Sequence, residues 1–178
     1  GTKFVTLGGA IAADVHGKNH HKDGSFRTCV DWIDVMGADG KVHRCSREEN
    51  PTFFDYTLGG MGLTGIILSA AICLRPVETA WVHQTTTAAS NLNEAMAAFE
   101  ASQDATYSVA WIDCLGTGAS LGRSLVILGE HADCGNLSRK QAATPFKIKP
   151  KRKLSVPFNL PSFTLNRLSV RAFNALYY

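Results

Sequence analysis

From Cys29 to Met36 apolar and polar residues alternate (CVDWIDVM) at the period of a half-buried strand. The alternation puts Val30, Trp32 and Asp34 on one side and Ile33 and Val35 on the other. Asp39-Gly40 is a hairpin signal, and Lys41 to Cys45 reads as the returning strand. Upstream, the β-favouring run Phe4 to Leu7 breaks at Gly8-Gly9 and continues through the small residues Ala10 to Ala13. That order predicts a strand, a backbone turn with positive φ and a close-packed segment. Asn50-Pro51 predicts a helix start, with Asn capping the free amides and Pro at the first helical position, and a helix over 52–57 that stops at Gly59-Gly60. The run Ile66 to Leu74 predicts a mostly buried strand, closed by Arg75-Pro76.

A second unit is expected from Val77. Ala80 to Thr86 is strand-like, and Ser90 or Asn91 caps a helix over 92–101 with Leu92, Ala95, Met96 and Phe99 on one face. Tyr107 to Cys114 and Ser124 to Leu128 follow as strands around the glycine-rich turn Gly116 to Gly122. Strand, helix, strand, strand predicts an α+β unit with an antiparallel sheet. Residues 134 to 166, punctuated by Pro145, Pro150, Pro157 and Pro161, read as a long mobile loop.

Composition narrows the function classes. With 45% apolar and 19% charged residues among 178, the chain is a folded globular sequence. A formal charge of +3 is too small to argue for nucleic acid. Arg139, Lys140, Lys147, Lys149, Lys151, Arg152 and Lys153 form an acid-free run suited to a solvated loop or to an anionic phosphate or membrane surface. Five cysteines without CxxC spacing give neither a disulfide framework nor a zinc site. No apolar stretch reaches the roughly 18 residues of a membrane span. The thiols and the lack of a signal peptide favour the cytoplasmic side, and the abrupt ends of the sequence suggest part of a longer protein.

The chemistry concentrates in two strings. FVTLGGAIAADVHGKNHH, residues 4 to 21, sets bare glycine backbone before a polar cluster of Asp14, His16, Lys18, Asn19, His20 and His21. Successive amides without side chains form a concavity for an anion such as a diphosphate. LGGMGLTGIIL, residues 58 to 68, repeats the device with Gly59, Gly60, Gly62 and Gly65. Adjacent histidines point in different directions in any regular element, so His20 and His21 receive no catalytic role. His16 and His20 have the i, i+4 spacing of a helical metal pair, but no Cys or Glu completes a ligand set and no metal is expected.

Together these strings resemble the FAD-linked oxidases of the vanillyl-alcohol-oxidase type, whose cofactor domain is PCMH-type. Within that family the likeness is greatest to the branch that oxidises a secondary hydroxyl of a polyprenyl-phosphate pentose in cell-wall arabinan biosynthesis. The resemblance implies an α+β fold in which residues 1–76 are the second half of the FAD-binding domain and 77–178 begin the substrate domain. It implies FAD contacts at Thr6, Leu7, Gly8, Gly9, Ala13, Asp14, Val15, His16, Gly60, Gly62, Thr64, Gly65 and Ile67. By the same resemblance the flavin is held without a covalent bond, with His16 lining the catalytic pocket and Lys18, Asn19 and Trp111 meeting the substrate. The family's main catalytic residues and its first glycine loop fall outside the matched stretch, so weak or absent FAD binding and inactivity are expected of the 178 residues alone.

The implied partners are the polyprenyl-phosphate sugar or another small alcohol, a reductase completing an epimerisation, and a peripheral membrane surface, with no nucleic acid. The implied location is cytoplasmic or peripheral at the membrane, with the periplasm left open. A sugar-lactone or other alcohol oxidase of the superfamily, and a non-enzymatic module retaining the fold, are the alternatives.

Overall fold

The computed structural model describes residues 4–148, 159 and 161–178. The chain divides between Pro76 and Val77 into two compact units. It is a mixed α/β protein whose two sheets are both antiparallel. Among the described residues no helix is long and apolar enough to cross a membrane.

The first unit is built on a three-stranded sheet in the order β2-β1-β3, with β1 at Val30–Met36, β2 at Val42–Ser46 and β3 at Ile66–Ile72. The β1–β2 hairpin forms as expected, pairing Ile33 with Cys45 and Met36 with Val42. Three helices join the sheet: α1 (Leu7–Ala12), α2 (His20–Asp23) and α3 (Pro51–Thr57). Ile11, Val30, Ile33, Val35, Cys45, Phe54 and Leu58 make the core.

Several expectations change here. No strand forms at Phe4 to Leu7, and Gly8-Gly9 are not a turn but the second and third residues of α1. The cause is local and tertiary together. Thr6 caps the helix by accepting the Gly9 amide at 3.1 Å, and burial of Ala10 and Ile11 offsets the poor helix propensity of the glycines. Val30 lies on the same buried side as Ile33 and Val35, because an irregularity between Val30 and Trp32 shifts the alternation. α3 begins with Pro51 at its first position, yet Asn50 does not cap it. Asn50 sits at φ +50, and its side-chain amide donates to the Arg44 carbonyl at 2.8 Å. β3 is not mostly buried: Ile67, Ala70 and Ile72 pack on the core while Ile66 and Leu68 are exposed.

The second unit has the sheet order β4-β6-β5, with β4 at Val82–Ala89, β5 at Tyr107–Ile112 and β6 at Ser124–His131. Helix α4 (Leu92–Glu100) covers it, capped by Asn91, whose side chain accepts the Glu94 amide at 3.0 Å. Its buried face is Ala95, with Ala98 and Phe99 beside it, while Leu92 and Met96 are exposed. The described part of 134–166 is not structureless. It holds a helical turn at Cys134–Asn136 and a short helix α5 (Arg139–Ala142) with a Ser138–Gln141 capping box; residues 149–158 and 160 of the expected loop lie outside the described residues. The last helix, α6 (Arg167–Tyr177), buries Asn174, whose amide donates to Asp113 Oδ1 at 2.6 Å.

Candidate functional site

The two glycine strings, far apart in sequence, are bonded to each other in the first unit. Gly59 N–H donates to the Ile11 carbonyl at 3.2 Å and Met61 N–H to the Ala12 carbonyl at 2.8 Å. The end of α1 therefore serves as a template for the backbone of the second string.

Asp14 follows immediately, in the left-handed region at φ +42. Its carboxylate is gripped by one residue that the sequence did not mark. Arg27 donates its backbone N–H to Oδ1 and its Nε to Oδ2, both at 2.8 Å, and Ser25 Oγ donates to Oδ2 at 2.9 Å. The same guanidinium donates through Nη2 to the Leu58 carbonyl at 2.9 Å. Arg27 thus ties the Asp14 corner to the start of the second string. Burial pulls the Asp14 carboxyl up, but the Arg27 amide, the Ser25 hydroxyl and the Arg27 guanidinium outweigh it and hold the carboxyl below its ordinary range. Arg27 is itself held, since Arg47 Nη2 donates to its carbonyl at 2.9 Å. An arginine in a featureless RTC sequence carries no signal of this role; only the fold brings it to Asp14.

The glycines then separate by what surrounds them. A Cβ on Gly60 would lie 2.1 Å from the Tyr56 carbonyl oxygen, and one on Gly65 would lie 2.4 Å from that of Met36. These two are required by the protein's own packing. A Cβ on Gly8 or Gly62 would meet none of the described residues within 4 Å. Their backbones face open space, and the first amides of α1 have no carbonyl within the helix to bond. Thr64 Oγ1 is shielded from solvent and has no hydrogen-bond partner among the described residues. Bare backbone at Gly8 and Gly62 and an orphaned hydroxyl at Thr64 fit a ligand rich in acceptors, as the FAD diphosphate is.

The remaining expected residues of the first unit divide in the same way. Thr6 is spent on the α1 cap, Leu7 is exposed, and Ala13 closes the helix by donating to Gly9 at 3.0 Å. Val15 accepts the Phe26 amide at 2.8 Å. Ile67 pairs with Val35 and packs on the core. His16 is exposed at the rim of a cavity of about 330 Å³ that Val15, Asn19, Ser25, Phe26 and Cys29 also line, and its ring lies 4.8 Å from that of His20. Lys18 is exposed beside it. Asn19 is committed, donating to Asp23 Oδ2 at 2.8 Å, while Arg75 grips the other Asp23 oxygen at 2.5 Å. Among the described residues no three His, Cys, Asp or Glu side chains group as metal ligands. Trp111 belongs to the second unit, where its ring packs 5.0 Å from that of Tyr177.

Comparison with known proteins agrees with the resemblance seen in the motifs. Residues 2–46 match the family described as FAD binding domain. Over its whole length the chain is 36% identical to decaprenylphosphoryl-beta-D-ribose oxidase of Mycolicibacterium smegmatis, of which it covers 39%. It is 38% identical, over 90% of its length, to an uncharacterized protein in the mprA 5' region of Streptomyces coelicolor, covering 43% of that protein. Over 41% of its length it is 38% identical to cytokinin dehydrogenase 5 of Arabidopsis thaliana, covering 14% of that enzyme. The chain thus spans about two fifths of the first two relatives.

Proposed function

We propose that this chain, which carries FAD binding domain sequence of the FAD-linked oxidase family, is the part of a flavin-dependent oxidoreductase that holds one side of the cofactor and opens the substrate region. The observation that carries this reading is the bonding of the two glycine strings to each other, with Gly8 and Gly62 bare and the Thr64 hydroxyl unpartnered. When bound, FAD supplies a hydride acceptor. The chain's own residues hold and orient. The amides of Leu7 and Gly8 at the start of α1 and the open backbone at Gly62 meet the diphosphate, with Thr6 and Gly9 fixing the first turn, Gly60 and Gly65 letting the second string pack closely, and Thr64 donating its hydroxyl. Ala13, Asp14, Val15 and Ile67 form the wall along the cofactor, and Arg27 keeps that wall in register.

On this reading residues 1–76 are part of the FAD-binding domain and 77–178 begin the substrate domain. The substrate is a secondary alcohol on a polyprenyl-phosphate pentose, supported by the whole-length similarity to a decaprenylphosphoryl-ribose oxidase. His16 lines the pocket and leaves the flavin non-covalent, while Lys18 and Asn19 meet substrate oxygens and Trp111 offers a flat wall to sugar or prenyl chain. A reductase partner and a membrane surface belong to the same proposal.

Acid precipitation of the full-length protein tests it. Yellow colour released into the supernatant supports non-covalent FAD; colour retained in the pellet contradicts it, and a colourless protein that stays so after adding FAD supports a non-enzymatic module. His16→Ala should keep the flavin and lose turnover. The similarity to cytokinin dehydrogenase over part of the chain favours a second reading, an oxidase of the same superfamily acting on another substrate. Turnover of an aldonolactone or another simple alcohol, with none of the prenyl-phosphate sugar, would select it.

A further inference from the structure

The chemistry left over in the first unit lies in its thiols. Cys45 is buried in the core, where burial pushes its thiol up and leaves it structural. Cys29 and Cys73 are placed differently. β1 and β3 are antiparallel, and their last paired residues are Val30 and Ile72; Cys29, the last residue of a helical turn at Phe26–Cys29, and Cys73 lie one residue beyond that pair. The Cys73 N–H donates to the Cys29 carbonyl at 2.7 Å, which holds the two backbones together just past the ladder. Residues joined across two segments by such a bond have Cα atoms about 5.5 Å apart, inside the range of roughly 4.4–6.8 Å that a disulfide spans. Both cysteines are free; Cys73 is exposed and Cys29 is half-buried in the lining of the His16 cavity.

We propose that Cys29 and Cys73 are a redox modification site, a thiol pair that closes to an intramolecular disulfide when it meets a low-molecular-weight disulfide and reopens with a thiol reductant. One thiolate attacks the small disulfide, breaking its S–S bond, forming a mixed disulfide and releasing one small thiol. The opposing thiolate attacks the protein sulfur of that mixed disulfide, forming the Cys29–Cys73 bond and releasing the second small thiol. Two electrons pass to the small disulfide, and the two protein thiol protons leave with its halves. Cys29 ends a helical turn and not a strand, so closure has to shift the ends of the two segments, and a bond closed under strain is readily reduced. Closure also pulls on two anchors. Arg27, two residues before Cys29, grips Asp14, and Arg75, two residues after Cys73, grips Asp23.

The test is thiol mapping of the full-length protein after treatment with oxidised glutathione. The expected result is a peptide pair joining Cys29 to Cys73 with no glutathione on either, reversed by dithiothreitol. Cys29→Ser and Cys73→Ser should each give instead a glutathione adduct on the other cysteine of the pair. Wild-type protein that carries separate adducts on the two cysteines, stays unreacted at both, or links either one to a different cysteine overturns the proposal. The wild-type map decides this even if a variant fails to fold.

Discussion

The Asp14 carboxylate and the Arg27 side chain meet at 2.8 Å, and because the same guanidinium also bonds the Leu58 carbonyl, one residue fastens both glycine strings. Asp14→Asn should therefore destabilise the chain by about 1–2 kcal/mol, the low end for charge-assisted bonds because Arg27 is partly exposed. Asn tolerates the left-handed backbone at this position, whereas Asp14→Ala should lose about 1 kcal/mol more to strain. Urea midpoints of the two variants measure the difference; equal midpoints would remove the backbone part of the argument.

The pH response follows from two carboxylates. Asp14 is held below its ordinary range as described, and so is Asp113, where burial pulls upward but the Leu115 amide, Arg123 and Asn174 prevail. A carboxyl whose pKa is lower in the folded than in the unfolded chain stabilises fully above the unfolded value of about 3.9. That stability is lost as pH falls through the depressed folded value. Urea midpoints should thus show no loss from these groups between about pH 7 and 5 and a fall below about pH 4, shallower in Asp14→Asn and Asp113→Asn.

Gly60→Ala should be severely destabilising, about 3 kcal/mol or more, because its methyl would collide with the Tyr56 backbone carbonyl. Gly62→Ala meets no atom and should cost only about 1–2 kcal/mol for a left-handed alanine. Thermal unfolding of the pair checks the order, and a reversed order would mean the second string is packed differently.

Gly8→Ala and Thr64→Val separate folding from binding. The first adds a methyl to open helix surface and should leave stability unchanged or raise it by about 1 kcal/mol. The second removes a hydroxyl that no group among the described residues uses, and should not destabilise. In the full-length protein both should lower FAD occupancy, read as the flavin-to-protein absorbance ratio. Full occupancy in both would move the cofactor away from these residues.

Asn174→Ala should loosen the end of α6, since it removes the amide that bonds Asp113 beneath the helix. Amide exchange over 170–177 should accelerate, and Trp111 fluorescence should change as Tyr177 leaves its ring. Unchanged exchange would show that the aromatic contacts alone hold the helix.

Motif strings and short-range patterns carried much of this molecule. The Asp39-Gly40 hairpin, the Pro51 helix start, the α4 cap at Asn91 and the antiparallel strands of the second unit are local, because turn chemistry and capping involve neighbours in sequence. The two glycine strings were equally visible, and the domain match over residues 2–46 covers the first of them. Tertiary structure decided the rest. Burial of Ile11 made a helix of a segment that reads as strand and turn, and a register irregularity turned Val30 inward. Gly60 and Gly65 are answered by backbone atoms of Tyr56 and Met36, while Gly8 and Gly62 are answered by nothing among the described residues. Which glycines are for packing and which are open to a ligand depends on distances between segments, and no spacing along the chain encodes those. Arg27 is the plainest case: its function is three bonds to residues remote in sequence, so it exists only once the fold has brought them together.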